Sequence, residues 1–269
     1  MSGSAPVDGV AIEARHGVLR IRLDRPERKN ALPAAGAVRI VRALEDASTD
    51  ESLRAVLLTG AGGDFCSGAD WVSTNTAGGE RPRTGAIQRR TAVQAHRLVG
   101  VLAEVQLPVV CAVRGWAAGL GCQLALVADV TVAADDARFW EPFLQRGFTP
   151  DSGATWLLPR LVGVARAKEL LLLGRRLTGA EAAEWGLVHR AVPETDLDAT
   201  AEELVSRLAS GPTVAIGLTK RALHRALEGS LSEALEAEAN ALELSSRSPD
   251  FKEGLAAFRE SRPPDFTGR

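Results

Sequence analysis

Two periodicities divide the chain. Up to about residue 140, short apolar or alternating runs take turns with stretches of helical period, and from Ala165 onward the period is helical throughout. Val10–Ile12 and Val18–Leu23 flank His16–Gly17 and predict a β-hairpin ended by Arg25–Pro26. Pro33 opens an amphipathic helix carrying Val38, Val41 and Leu44. Ala55–Thr59 predicts a short buried strand closed by Gly60, Gly62 and Gly63, after which Phe65–Asp70 is expected to turn into a short helix. Thr74–Thr84, with its Gly, Pro and Arg residues, has the composition of a mobile loop. Ile87–Val105 predicts a long amphipathic helix, Pro108–Val113 and Asp129–Ala134 predict buried strands, and Arg138–Trp140 a short one. A helix through Thr155–Leu158 follows, then Ala165–Leu173, Gly179–Trp185, Leu197–Ser210, Thr213–Glu228, Leu231–Leu244 and Pro249–Glu260. Strands alternating with helices imply an α/β core over residues 1–195, with a helical extension over 196–269.

The densest signal lies between two of these elements, in Arg114–Asp129. Gly115, Gly119 and Gly121 fall within seven residues, and Cys122–Ala128 then reads as a helix apolar almost all round. A strand, a glycine turn and a buried helix expose backbone N–H groups at a helix N-terminus, where glycines let another molecule approach closely. A tight turn where helix packs on sheet has the same spacing, and Leu124 stands where G-x-G-x-x-G needs its last glycine, which argues against a dinucleotide site. Composition narrows the classes further. A net charge of −2, with both signs mixed along the chain, gives no footprint for nucleic acid, and Arg81–Arg90 reads as a solvated loop or helix start. Cys66, Cys111 and Cys122 are odd in number, lack C-x-x-C spacing and sit among apolar residues, as reduced structural thiols do. The N-terminal residues have neither the basic start nor the apolar core of a signal peptide, and no apolar run reaches the roughly 18 residues needed to span a bilayer. The expectation is a soluble, cytoplasmic globular protein that binds neither nucleic acid nor membrane.

Several standard sites are absent: H-E-x-x-H, G-x-x-x-x-G-K-[ST] and G-x-S-x-G do not occur, and the four histidines are scattered, so no metal site is expected. Two places share one design instead. At Gly68–Ala69 and at Gly119–Leu120 a strand is expected to pass through glycine into a helix N-terminus, and two such N–H groups converging on one carbonyl oxygen form an oxyanion hole. With LDRPERKNAL (Leu23–Leu32), FCSGADW (Phe65–Trp71), GWAAGLGCQLALVADV (Gly115–Val130), TPDSGATWLLPRLVG (Thr149–Gly163), LTGAEAAEWGLVHRAV (Leu177–Val192) and FKEGLAAFRESRPPDF (Phe251–Phe266) in this order, the chain resembles the crotonase superfamily, the enoyl-CoA hydratases and isomerases.

The resemblance implies a spiral of β–β–α turns and a C-terminal helical region that assembles homotrimers or dimers of trimers. It implies an acyl-CoA thioester as substrate, with no metal or redox cofactor. It assigns the oxyanion donors to the N–H groups of Ala69 and Leu120, and a CoA path to Arg28–Ala31 and Ser67–Asp70, with Gly68 and Gly119 as the turns. Phe258 and Arg262 would approach the nucleotide from the terminal helices. Where hydratases of this family carry two glutamates, this chain has Gln123 and Phe143. An amide orients a ligand or water but accepts no proton as a base, and phenylalanine does neither. Glu141 is two residues from the second position, which along an extended segment keeps the same face but carries it well away. The P-D-x-G motif puts a carboxylate, Asp151, where isomerases and 4-chlorobenzoyl-CoA dehalogenases of the family place one, although an aspartate there also suits a helix N-cap. Phe143, Phe148 and Trp156 would desolvate Asp151 and raise its pKa. The expected reaction is double-bond migration in an enoyl-CoA, with Asp151 removing and returning one proton. A weak or atypical hydratase, a dehalogenase-like hydrolase with Asp151 as nucleophile, and a non-catalytic acyl-CoA-binding paralogue are the alternatives.

Overall fold

In the computed structural model, residues 6–70 and 83–269 are described. Nearly all of the Thr74–Thr84 loop expectation therefore lies outside the described residues. The core is a six-stranded sheet in the order β1 (Val10–Arg15), β2 (Val18–Leu23), β3 (Ala55–Gly60), β4 (Val109–Val113), β6 (Val130–Ala134) and β9 (Arg190–Val192). Only β1 and β2 pair antiparallel, as the hairpin requires; the others are parallel. Every residue of β4 is buried, so both of its faces are covered and it reads as an unbroken apolar run, as central parallel strands do. A second sheet of three short strands, β5 (Trp116–Ala118), β7 (Arg138–Trp140) and β8 (Arg176–Thr178), stands beside it.

Helix α1 (Ala34–Ala47) starts at Pro33 and buries Ala37, Ile40, Val41 and Leu44, the i, i+3, i+4, i+7 stripe of an amphipathic helix. Complete burial of a side chain such as Ile40 or Leu44 stabilises the fold by about 1.5–3 kcal/mol. The long helix expected over Ile87–Val105 forms in three pieces: α2 (Ala86–Thr91), a π-helical turn (Ala92–His96) and α3 (Arg97–Glu104). The buried helix α4 (Leu120–Val127) packs against β4, β5 and α3. Helix α5 spans Ala154–Leu173, but Gly163 leaves helical geometry inside it, so it falls into the two pieces that the apolar pattern indicates. Then come α6 (Gly179–Glu184), α7 (Glu194–Ala209), α8 (Thr213–Ala226), α9 (Leu231–Ser245) and α10 (Pro249–Glu260). Helix α7 lies on β3, β4 and β6 and places Leu197, Ala201 and Val205 in the main core, although it runs across residue 195. The outward helices begin at α8. Helix α9 buries none of its residues, and Leu231, Leu235, Leu242 and Leu244 are all exposed. Among the described residues no helix is long and apolar enough to cross a membrane.

One expectation is corrected here. Residues Phe65–Asp70 do not turn helical; they run extended, making isolated bridges from Cys66 to Ala117 and from Leu32 to Ala69. The reason is pairing on both sides, described below, which satisfies their backbone without a helix. Helix α4 is pressed against this segment. A Cβ at Gly121 would lie 2.2 Å from the Cys66 carbonyl oxygen and 2.7 Å from the Cys66 Cβ. Backbone cannot swing aside as a flexible side chain can. Gly121→Ala is therefore expected to lower stability by at least about 1–3 kcal/mol, read as a lower urea midpoint; an unchanged midpoint would mean that α4 sits further from Cys66 than described.

Candidate active site

The site is built from two chain segments held side by side by backbone hydrogen bonds. Cys66 N–H donates to the Trp116 carbonyl at 2.8 Å, Ala118 N–H returns to the Cys66 carbonyl at 2.9 Å, and Phe65 N–H donates to Arg114 at 2.8 Å. On the other side Leu32 N–H donates to the Gly68 carbonyl at 2.9 Å and Asp70 N–H to Leu32 at 3.0 Å. Gly68, at φ +107°, and Gly119, at φ +51° and ψ −122°, then turn the two segments toward each other. Both conformations are ones that side chains with a Cβ rarely adopt. A Cβ on Gly68 would stand 2.9 Å from the Ala118 oxygen and 3.8 Å from the Leu120 nitrogen, which measures how near the turns come. Gly119 N–H is taken by the Trp140 carbonyl at 3.0 Å. Among the described residues no backbone carbonyl accepts the N–H of Ala69 or of Leu120. Leu120 is also the first residue of α4, where the helix dipole favours negative charge.

The Leu23–Leu32 motif is largely a brace for this arrangement. Lys29 and Asn30 both have positive φ, and Asn30 is buried with its amide donating to the carbonyls of Ala61 and Asp64 at 2.9 and 2.7 Å. Its Oδ1 accepts Arg25 N–H at 2.8 Å. Arg25 in turn donates to the Ala31 carbonyl and pairs with Asp70 at 2.8 Å. Of the residues expected on the CoA path, Asp70 thus points its carboxylate at Arg25, Ala31 is held through its carbonyl, and Arg28 is exposed at the end of a short 3-10 turn. Ser67 bonds the Arg28 carbonyl at 3.3 Å.

A cavity of about 170 Å³ is bordered by both Ala69 and Leu120. Ser67, Gly68, Ala69, Asp70, Gly119, Leu120, Phe143, Phe148 and Asp151 all line it. Phe143 and Phe148 meet edge to face at 5.7 Å and form an apolar wall. Asp151 does not cap a helix: α5 starts behind Gly153 with no side-chain cap. Ser152 and Gly153 both have positive φ. Burial raises the Asp151 pKa, while the Ser152 hydroxyl, although not in normal hydrogen-bond geometry, and the charge of His96 oppose the rise. Trp156 lines a neighbouring hollow together with His96, rather than this one. A proton acceptor thus shares one cavity with two unpaired donors, the equipment needed to take a proton beside a carbonyl and stabilise the resulting oxyanion.

Gln123 and Glu141 depart from the sequence expectation. Gln123 is fully buried and does not line the cavity; its amide donates to Glu141 Oε1 at 2.6 Å. Glu141 is not carried away. It continues the inward face of β7 beyond Phe139, and α4 brings Gln123 to meet it. Other residues went unnoticed in the sequence. Ile87, Arg90, Thr91 and Gln94 line the cavity from α2 and the π turn, and Arg146 lines it from the turn after Phe143. Their i, i+3, i+4, i+7 spacing is the available signal, but it identifies a face without saying what the face covers. From the terminal helix, Phe258 is exposed and Arg262 pairs with Glu253 and Glu260. The three cysteines are buried, with the Cys66 thiol pushed up to about 12 by burial, so none offers a ready thiolate.

The cavity thus brings a carboxylate and the Ala69 and Leu120 backbones together on a sheet-and-helix scaffold. The sequence profile of the Enoyl-CoA hydratase/isomerase family matches residues 13–269, and the chain belongs to that family. It is 40% identical over 254 residues to the 1,2-epoxyphenylacetyl-CoA isomerase of Escherichia coli K12, covering 94% of this chain and 96% of that one. It is also 40% identical over 260 residues to a probable enoyl-CoA hydratase of Rhodobacter capsulatus, covering 97% and 98%. The crystal structure of an enoyl-CoA hydratase from Bacillus anthracis superposes with a TM-score of 0.90 at 32% identity, covering 97% of this chain and all of that one. The crotonase-like fold and an acyl-CoA-processing family therefore stand.

The geometry at Gly119 separates positioning from packing. A Cβ there would meet nothing closer than Phe143 Cζ at 3.9 Å, so its cost is conformational and falls on the direction of the Leu120 N–H. Gly119→Ala is expected to lower kcat/KM by about 10²–10³, the effect of one lost oxyanion donor, with a stability loss of only about 1–3 kcal/mol. Parallel rate and urea measurements check this; equal losses in both would reduce Gly119 to a packing residue.

Proposed function

We propose that the protein isomerises enoyl-CoA thioesters by moving a double bond, with Asp151 as the acid–base residue and the N–H groups of Ala69 and Leu120 as the oxyanion hole. The observation that carries this reading is that Asp151 lines the same cavity as the two unpaired donors, while Gln123 and Phe143 stand where hydratases of the family hold glutamates. The thioester oxygen accepts both N–H groups. Asp151 takes a proton from C2 of a 3-enoyl-CoA, the electron pair delocalises onto the thioester oxygen as a dienolate, and the same proton returns at C4. The double bond then lies between C2 and C3. One carboxylate serves both transfers, so nothing is gained or lost overall and no redox group or metal is called for. The donors act mainly once charge has developed, which lowers the barrier rather than tightening substrate binding. Phe143 and Phe148 exclude water and raise the basicity of Asp151.

The exposed leucines of α9, with Leu223 of α8 and Leu227 just after it, support self-association of this region as a homotrimer or a pair of trimers.

Incubation of 3-enoyl-CoA and 2-enoyl-CoA with the protein in heavy water, following products and deuterium uptake, tests the proposal. Asp151→Asn is expected to lose isomerisation by about 10²–10⁴-fold and to keep CoA-ester binding. Because burial raises the Asp151 pKa, the wild-type rate should fall with acid at a pH above the ordinary aspartate range. A normally active Asp151→Asn protein, or rapid hydration of crotonyl-CoA by the wild type, would overturn the reading.

A further inference from the structure

Behind the cavity wall lies a second carboxyl group that the proposed chemistry does not use. Glu141 is 2% exposed and fully inside the fold. Its Oε1 accepts the Gln123 amide, while its Oε2 and the Gln123 Oε1 have no hydrogen-bond partner among the described residues. No lysine or arginine pairs with it among the described residues. A buried carboxylate whose neighbours are a neutral amide and a thiol, with no cation, is poorly compensated. A carboxylic acid at the same place is not. The surroundings add a further constraint, because the negative charge of Asp151 bears on Glu141. An ionised Glu141 would stand as a second negative charge beside Asp151 and, once Asp151 has taken the proton, beside the enolate that inherits its charge.

We propose that Glu141 is a positioning residue that works as a neutral carboxylic acid: it holds the Gln123 amide against the first turn of α4 and, by keeping its proton, withholds a second negative charge from Asp151 and the oxyanion hole. This role rests on the isomerase reading above. Titratable and charged groups face this region from each element packed on it. Cys122 comes from α4, Asp151 from the loop before α5, and His96, from the π turn, acts on Asp151. Arg176 of β8 lies over the neighbouring Trp140 ring at 4.4 Å, and Arg90 and Arg146 line the cavity. Burial pushes Glu141 up to about 8, the charge of Asp151 pushes the same way, and Cys122 and Gln123 offset part of the rise. Two carboxyl groups whose environments drive their titrations apart divide the labour: Asp151 is the charged base and Glu141 the silent acid.

Deprotonation of Glu141 therefore switches the site off from the alkaline side. Infrared titration of the resting protein, without substrate, is expected to show a protonated carboxyl at pH 7 that is lost with a midpoint near 8, is absent in Glu141→Gln and titrates at lower pH in Asp151→Asn. In wild type the isomerisation rate should fall about tenfold per pH unit above that midpoint, as for loss of one essential proton, whereas Glu141→Gln should lose this alkaline limb. Absence of the protonated carboxyl in wild type at pH 7, or an alkaline limb that persists in Glu141→Gln, would overturn the proposal. The wild-type infrared arm stands even if the variant fails to fold. It also needs no turnover, so a wrong base assignment, shown by an active Asp151→Asn protein, is told apart from a wrong protonation state at Glu141.

Discussion

Two backbone N–H groups without acceptors can be held in place only if the chain around them is fully bonded. This requirement orders the whole molecule. Unpaired buried amides are costly, and a chain free to relax would turn them toward a carbonyl or water. Here the segment carrying Ala69 is fixed from both sides, by β5 and by Leu32, and Leu120 is fixed by the helix it starts. Asn30, buried and bonded to two carbonyls and one amide, locks the loop that supports Leu32. The sheet, the glycine turns and the LDRPERKNAL motif thus together fix the backbone at Ala69 and Leu120, whose N–H groups meet no backbone carbonyl among the described residues.

Much of this was legible in the sequence, because each part depends on residues whose local demands are strong. Glycines at 68 and 119 mark positive φ, Pro33 marks a helix start, and the central strands are continuous apolar runs. What escaped notice depended on pairing rather than pattern. Strands β5, β8 and β9 have three residues each and little pattern of their own, although β7, equally short, was expected from Arg138–Trp140. Phe65–Asp70 looked helical because its glycine could start a helix as readily as bend an extended segment. The meeting of Gln123 and Glu141 could not be read from spacing, since it depends on the depth at which α4 packs against β7.

That meeting changes how the missing glutamates are understood. Read by position alone, the chain has lost two acids and gained a neutral amide and a phenyl ring. In three dimensions a carboxyl group, Glu141, is bonded to Gln123 and stands outside the cavity lining. Two carboxyl groups therefore remain in this region, Glu141 buried against Gln123 and Asp151 in the cavity lining.

The position of Asp151 is set by conformation more than by contact. Ser152 and Gly153, both left-handed, follow it directly and aim its side chain at the cavity before α5 begins. The placement of this carboxylate is therefore a property of three residues rather than one. A relative given only an aspartate at the corresponding place, with a β-branched side chain next to it, would have to abandon the double left-handed bend, and the carboxylate would face elsewhere. Asp151, Ser152 and Gly153 thus form one conformational unit, and a change at either of the last two redirects the first.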